Sequence, residues 1–168
     1  RSVNKPVVGC VPYLNAKPLV RMFRDLNEDS PLDVVYDVPS RLPGLLDQGA
    51  AAVMVSSIEA LRRPGARVAD GVSISSNGPV LSVRLFSKKP LSQVRTLALD
   101  QSSMTSNLLA QLMLSKAGAQ PSCRSMSPDA RRMLDHCDAA VLIGDNGMAF
   151  EGQGLDILDL GQAWTSWT

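Results

Sequence analysis

The sequence predicts an α/β fold built around a mostly parallel sheet. Short β-branched and apolar runs alternate with segments of helical periodicity along the 168 residues, and this alternation is typical of βα units. The composition agrees, because 45% of the residues are hydrophobic and 17 Lys and Arg nearly balance 16 Asp and Glu. Such a chain suits one or two globular lobes with ordinary cores.

Seven stretches of the usual strand length are rich enough in apolar residues to be predicted as strands. They are residues 7–11, 32–36, 51–55, 80–86, 96–99, 139–143 and 157–160.

Helical periodicity fills several of the intervals. After Asn15, an i, i+3, i+4, i+7 pattern predicts one buried stripe, formed by Leu19, Met22, Phe23 and Leu26. Residues 37–49 predict a shorter helix that ends near Gly49, with Pro43 removing a backbone donor early in it. Residues 104–117 predict a longer helix that ends before Gly118 and buries Leu108, Leu109, Leu112 and Met113.

A charged, turn-rich segment, KKPLSQVR at 88–95, separates two halves of the chain. We therefore expect lobe 1 at residues 1–86 and lobe 2 at residues 87–168, with the strand at 80–86 leading from one to the other. The tryptophans near the end of the chain, Trp164 and Trp167, are expected to pack in the core.

Two helix starts lack an acidic residue in the first turn. Asn15 is placed to cap the first helix, and the segment LDQSSMTSN brings Ser103, Thr105 and Ser106 to the start of another. Free backbone N–H groups and hydroxyls at such a start form a cradle for an anion. The alternative is ordinary capping, because Ser, Thr and Asn are the preferred N-cap residues.

Three further polar residues follow or interrupt apolar runs. Ser56 stands at a strand-to-helix turn, where it is a better ligand candidate than the nearby Glu59. Ser82 interrupts an apolar strand, and Asp145 follows the strand at 139–143. Each has a plainer alternative, namely a turn or a local backbone hydrogen bond.

Several classes of function find no support. A formal net charge of +1 provides no basic stripe for nucleic acid and no polybasic arm for a membrane. The sole histidine, His136, is expected at a helix terminus or on the surface, and no catalytic triad, phosphate loop or metal motif is present. Three cysteines without metal spacing indicate reduced thiols, and the absence of an apolar leader or spanning segment favours the cytoplasm.

The motifs VPYLNAKPL, DVPSRL, VSSIEAL, SNGPVLSVRLFS, SSMTSNLLAQLML, DAAVLIGD and LDLGQAWTSWT occur in this order along the whole chain. Together they resemble the chorismate dehydratase family of the futalosine route to menaquinone. The resemblance implies a two-lobed type II periplasmic-binding-protein-like fold, with mixed, mostly parallel sheets and an interlobe cleft. It also implies loss of water from chorismate to give 3-[(1-carboxyvinyl)oxy]benzoate, without a cofactor or metal.

The family comparison also implies a site for a dicarboxylate, since chorismate is a dianion. Asn15 is the expected catalytic residue, holding the substrate while one of the substrate's own carboxylates accepts the ring proton. The expected substrate-binding residues are Ser56, Ser82, Ser103, Thr105, Ser106 and Asp145.

The sequence departs from the family at two points. Met104 stands where relatives often carry arginine, and the chain stops at Thr168, where relatives return to the first lobe, so we expect this return to be missing. Two other functions stay open: the sister enzyme that makes dihydroxynaphthoate, and a non-catalytic binding protein for a small carboxylate.

Overall fold

The computed structural model describes residues 5–168. Contacts divide the chain into two compact units, the first ending at Ile74 and the second spanning Ser75–Thr168. The sequence placed this division later, between residues 86 and 87. The strand Val83–Ser87 belongs to the second unit because it pairs on both sides with strands of that unit.

Within residues 5–74, three strands form a parallel sheet in the order β2-β1-β3. The strands are β1 (Val7–Cys10), β2 (Asp33–Tyr36) and β3 (Ala52–Val53), and the helices are α1 (Lys17–Asp25), α2 (Pro43–Asp47) and α3 (Ile58–Arg62). The three predicted strands are thus present. The helix predicted at 37–49 is shorter, because the proline occupies its first position and Gly49, at φ +91°, follows its end.

The core of the first unit lies where α1 and α2 meet the sheet. Buried Val20 of α1 and Leu42 pack with Cys10 and Ala16. The predicted buried stripe on α1 is wrong, because a different face of the helix contacts the core. Leu19, Met22 and Leu26 of the predicted stripe are exposed. The reason is that Ala16, in a 3₁₀ turn ahead of α1, and Val20 form the i, i+4 pair that contacts the core.

The second unit contains a five-stranded mixed sheet with the order β6-β5-β7-β4-β8. Its strands are β4 (Val83–Ser87), β5 (Thr96–Asp100), β6 (Ser122–Met126), β7 (Ala139–Ile143) and β8 (Asp156–Asp159). Parallel pairing joins β5 to β6 and β7, whereas β4 runs antiparallel to β7 and β8. The prediction of mixed, mostly parallel sheets is confirmed.

Both faces of this sheet are covered. The helices of the unit are α4 (Thr105–Lys116), α5 (Ala130–His136), α6 (Gly144–Ala149) and α7 (Leu160–Trp167). On one face, Leu85 and Leu97 pack against buried residues of α4 and α7. On the other face, their chain neighbours Phe86 and Ala98 pack against α5. This alternation is the period-2 pattern of strands that are buried on both sides.

Helix α4 lies at its predicted position, but only part of the predicted buried face is in fact buried. Met113 is buried and Leu109 packs against the core, whereas Leu108 and Leu112 are exposed. The buried positions include Ala110 and Leu114 instead, because the sheet contacts the i, i+3, i+4 stripe that begins at Ala110. Gly118, at φ +86°, follows the end of the helix as expected.

The predicted core position of the tryptophans is wrong. Trp164 and Trp167 are 46% and 42% exposed. Their rings meet edge to face with centroids 5.7 Å apart, and the Lys116 Nζ lies 4.4 Å from the Trp167 ring centroid. They therefore form a surface cluster between α7 and the end of α4.

Candidate functional site

Two of the predicted site residues follow neighbouring strands of the first unit. Asn15 comes five residues after β1 and Ser56 three residues after β3, and these two strands are parallel partners. Because carboxyl ends of parallel strands meet at one edge of a sheet, both residues belong to the carboxyl edge of this sheet.

The prediction that Asn15 caps the first helix is wrong. Asn15 lies inside the 3₁₀ turn Leu14–Ala16, and the N-cap of α1 is Ala16, which makes no side-chain capping bond. The first turn of α1 contains no acidic residue, as expected, and Pro18 lies within it. The Asn15 side chain is exposed and makes no capping hydrogen bond to either helical segment.

Ser56 lies just before α3. It is half-buried, and its carbonyl oxygen accepts a hydrogen bond from the Glu59 N–H at 2.9 Å. The carboxylate of Glu59 is engaged by the Arg63 Nε at 3.2 Å, and Arg63 also forms a forked ion pair with Asp47. Glu59 is therefore held in an ion-pair network, which agrees with the preference for Ser56 as a ligand candidate.

The other predicted site residues all lie at one edge of the second unit's sheet. Strands β5 and β7 are parallel, and Val83 at the start of β4 is paired with Ile143 at the end of β7. The carboxyl ends of β5 and β7 and the amino end of β4 therefore share an edge. The predicted residues that follow or precede these strand ends are Ser82, Ser103, Thr105, Ser106 and Asp145.

The loop between β5 and α4 is organised by Asp100, which is completely buried. Its carboxylate accepts hydrogen bonds from the backbone N–H and the hydroxyl of Ser102, and from the Ile143 N–H at 3.3 Å. The loop thus joins the end of β5 to the end of β7. The Ser102 hydroxyl is thus engaged by Asp100. The other hydroxyl residues of the loop and the helix start are Ser103, which is buried, Thr105, which is exposed, and Ser106, which is half-buried.

Asn107 strengthens the same loop. Its side-chain amide donates to the carbonyl oxygens of Asp100 at 2.8 Å and Ser103 at 2.9 Å. Its own side-chain oxygen is buried without a hydrogen-bond partner within residues 5–168. Neither Asp100 nor Asn107 was predicted from the sequence. For Asp100 the available signal was a Ser two residues later, which is typical of an Asx turn.

Ser82 is held by an unusual backbone segment. The residue before it, Leu81, is not a glycine yet has φ +59°, a conformation that is costly for a branched side chain. The Asp159 carboxylate stabilises it by accepting from the N–H groups of Val80 and Leu81, the latter at 2.7 Å. Partial burial opposes ionisation of Asp159, but backbone hydrogen bonds, first that of Gln162, outweigh it and lower its pKa.

Helix α6 begins directly after β7 and contains Asp145 in its first turn, where the carboxylate is exposed. The helix packs closely on the Ser82 segment, because a Cβ at Gly147 would lie 2.9 Å from the carbonyl oxygens of Ser82 and Leu142.

The Arg84 guanidinium donates to the carbonyl oxygens of Gly147, Met148 and Phe150, and so satisfies the end of α6. The α6 position thereby depends on β4.

His136 and the cysteines take no part in this edge. His136 is exposed in the last turn of α5, with its Nδ1 2.8 Å from the Arg132 carbonyl oxygen, as expected for a helix terminus. Cys10, Cys123 and Cys137 are free thiols, of which Cys123 is exposed. Burial raises the pKa of the Cys10 thiol, which disfavours a reactive thiolate.

Comparison with known proteins adds to this geometry. A family model described as menaquinone biosynthesis matches residues 6–168. The chain belongs to this menaquinone biosynthesis family. A curated relative is the chorismate dehydratase of Thermus thermophilus, which is 31% identical over 144 residues, covering 84% of this chain and 51% of the relative. The chain therefore spans about half the length of that curated relative.

Solved structures show the fold of this family member. A protein from Archaeoglobus fulgidus matches all of this chain and 65% of its own, with a TM-score of 0.64 at 18% identity. The periplasmic aliphatic sulphonate binding protein SsuA from Escherichia coli matches 95% of this chain and 60% of its own, with a TM-score of 0.59 at 16% identity. The predicted type II periplasmic-binding-protein-like class is confirmed. Within residues 5–168, none of the helices has the length and apolar character that a bilayer span requires.

Proposed function

We propose that this chain contributes the substrate-binding lobes of a chorismate dehydratase of menaquinone biosynthesis. The observation that carries the proposal is the 31% identity to a chorismate dehydratase over 84% of the chain. In the proposed reaction, chorismate loses one ring hydrogen as a proton together with the neighbouring hydroxyl group. The products are one water and 3-[(1-carboxyvinyl)oxy]benzoate. The three free thiols suit a reducing compartment, and we place the reaction in the cytoplasm.

Each unit has a polar sheet edge that suits a carboxylate, and chorismate carries two carboxylates. In the second unit, Ser82, Ser103, Thr105 and Ser106 supply hydroxyls beside a helix start whose first turn has no acidic residue. In the first unit, Asn15 and Ser56 follow parallel strands at one edge. Uncharged donors near helix starts bind carboxylates without a basic patch. We assign these residues to substrate binding, with Asp145 as a contact to the single ring hydroxyl of chorismate.

The proposed mechanism uses the substrate's own carboxylate as the proton acceptor. Aromatisation of the ring supplies much of the driving force, so the protein needs chiefly to orient the substrate. Orientation of intramolecular groups contributes about 7–11 kcal/mol to lowering a barrier. Asn15, whose exposed amide carries no capping duty, is assigned to hold the enolpyruvyl carboxylate against the ring hydrogen. His136 lies at the far end of α5 and has no role in this scheme.

The test incubates the purified chain with chorismate and detects the aromatic carboxyvinyl ether by chromatography. Asn15→Ala is expected to lower kcat by about 10²–10³-fold, while a calorimetric titration still detects chorismate binding. Ser106→Ala is expected to raise KM by roughly tenfold, because it removes a hydrogen bond to a charged group.

The matched controls are residues of similar type, one in each unit. Gln48→Ala removes an exposed amide at the end of α2, and Ser115→Ala removes an exposed hydroxyl from the last turn of α4. Both should retain the wild-type kcat and KM. Unchanged turnover of Asn15→Ala would rule out its catalytic role. Chorismate that binds but stays intact would indicate a carboxylate-binding protein, and the absence of both binding and turnover would overturn the substrate assignment.

A further inference from the structure

A concave surface of the second unit lies outside the residues assigned to the proposed reaction. It encloses about 360 Å³ beside the end of β6 and helix α5. The residues that line it are Gln101, Arg124, Ser125, Met126, Ser127, Arg132 and His136. We refer to it as the β6–α5 depression. All of these residues belong to the second unit, so the depression is complete within one compact body.

The β6–α5 depression is positively charged. Arg124 and Arg132 both line it, and none of its lining residues is acidic. Within residues 5–168, neither guanidinium has a carboxylate oxygen within the 4.0 Å of an ion pair, since all such pairs involve other residues. Asp129, the N-cap of α5, accepts the Arg132 backbone N–H at 3.1 Å, and Asp135 within α5 does not line the depression. Two permanent charges therefore face the depression without internal neutralisation.

The remaining lining groups supply further hydrogen-bonding capacity. Ser125 and Ser127 contribute hydroxyls from β6 and the residue that follows it, and Gln101 contributes an amide from the end of β5. The His136 ring is held by the contact of its Nδ1 with the Arg132 carbonyl oxygen. Met126 is the one apolar member of the set. This inventory suits a polar ligand with several oxygen atoms.

We infer that the β6–α5 depression binds the phosphate group of a small molecule. Arginine matches phosphate oxygens with forked pairs of hydrogen bonds, and two guanidinium groups balance the double charge of a phosphomonoester. A volume of about 360 Å³ lies within the range of small-molecule sites and exceeds what inorganic phosphate alone would fill. The site is thus predicted to bind a phosphomonoester more tightly than free phosphate. This inference does not depend on the dehydratase proposal.

The experiment titrates the ¹⁵N-labelled chain with glycerol 3-phosphate, inorganic phosphate and succinate in separate series, at one pH and a constant ionic strength. Glycerol 3-phosphate should shift the amide resonances of Gln101, residues 124–127 and Arg132 along one saturable curve. Inorganic phosphate should shift the same resonances with a larger Kd, and succinate with the largest.

Variants test which groups are responsible. Arg124→Gln and Arg132→Gln should each raise the Kd for glycerol 3-phosphate at least tenfold, while keeping the wild-type spectrum elsewhere. Arg131→Gln is the matched control, because Arg131 is exposed on the same helix and does not line the depression. The inference is overturned if the shifts do not saturate, if they are equal for all three anions, or if Arg131→Gln weakens binding as much as the other two.

Discussion

At the scale of single residues, Asp138 has the clearest structural role outside the candidate site. It stands just before β7, at the sheet edge opposite the predicted ligand residues. Its carboxylate pairs with the Lys89 Nζ at 2.8 Å and accepts the backbone N–H groups of Arg95 and Thr96. The hydrogen bond from Lys89, together with these backbone donors, lowers the pKa of Asp138 from 3.8 to about 2.

This pKa predicts a pH-dependent contribution to stability. Because the folded pKa lies below the unfolded one, the contribution is present above about pH 4 and is lost as the pH falls towards 2. Asp138→Asn should lower the free energy of unfolding by on the order of 1–2 kcal/mol at pH 6, measured by urea denaturation. At pH 3 the difference between variant and wild type should be smaller.

The control is Asp156→Asn, which changes an exposed carboxylate of β8 that makes no ion pair within residues 5–168. It should behave as wild type at both pH values. An equal loss for Asp138→Asn at pH 6 and pH 3 would contradict the assigned ionisation.

Residue types at strand ends were predictable, but their partners were not. Ser82, Ser103 and Asp145 were predicted as site residues because polar residues next to apolar runs are visible in the sequence, and the structure places them at strand ends. The role of Asp100 depends on the Ile143 N–H, 43 positions away. No local sequence pattern reveals such a distant partner. The hydrogen bond from the Leu81 N–H to the Asp159 carboxylate was unpredictable for the same reason.

At the scale of elements, α6 and the Ser82 segment form a close contact. Gly147→Ala is expected to lower the free energy of unfolding by about 1–3 kcal/mol, because its Cβ would meet two backbone carbonyl oxygens at 2.9 Å. Backbone atoms cannot rotate away as a side chain would. Urea denaturation followed by circular dichroism measures the change.

Gly44→Ala is the matched comparison. Gly44 lies within α2 without a positive φ, and nothing lies within 4 Å of the added Cβ. Its replacement should raise the free energy of unfolding by about 0.5–1 kcal/mol, because alanine favours the helix. If Gly147→Ala were as stable as wild type, the close contact of α6 with Ser82 would be refuted.

Two elements that the sequence did not predict, β6 and α6, lack the apolar patterns on which such predictions depend. Strand β6, SCRSM, lies at the sheet edge with mostly exposed side chains, so it has no apolar alternation. Helix α6, GDNGMA, is composed of turn-forming residues and is held by Arg84 from another strand. The buried strands β5 and β7 were found because continuous apolar runs mark a strand that is covered on both faces.

At the scale of the whole molecule, the two units differ in how much core they contain. The second unit has a buried cluster on each face of its sheet. The first has one smaller cluster, and its strand β3 is only two residues long. Local stability follows such differences in buried apolar contact.

Amide hydrogen exchange, followed by mass spectrometry, should therefore be slowest in peptides that cover β5 and β7. Peptides that cover β1 should exchange faster, and so should the edge strand β6, which serves as a control within the second unit. Exchange in β1 as slow as in β7 would contradict this ranking. Sequence predicted the α/β class and the two-unit plan, whereas the division at Ile74 depends on strand pairing.

The Asp159 carboxylate serves two structures at once. It caps α7 through the Gln162 N–H and also holds the backbone at Val80 and Leu81. Gly161 brings the same helix against Val80, with no room for a side chain between them. Loosening the first turn of α7 would consequently release the left-handed bend ahead of Ser82. Helix α7 thus stabilises a loop that lies about eighty positions earlier in the sequence.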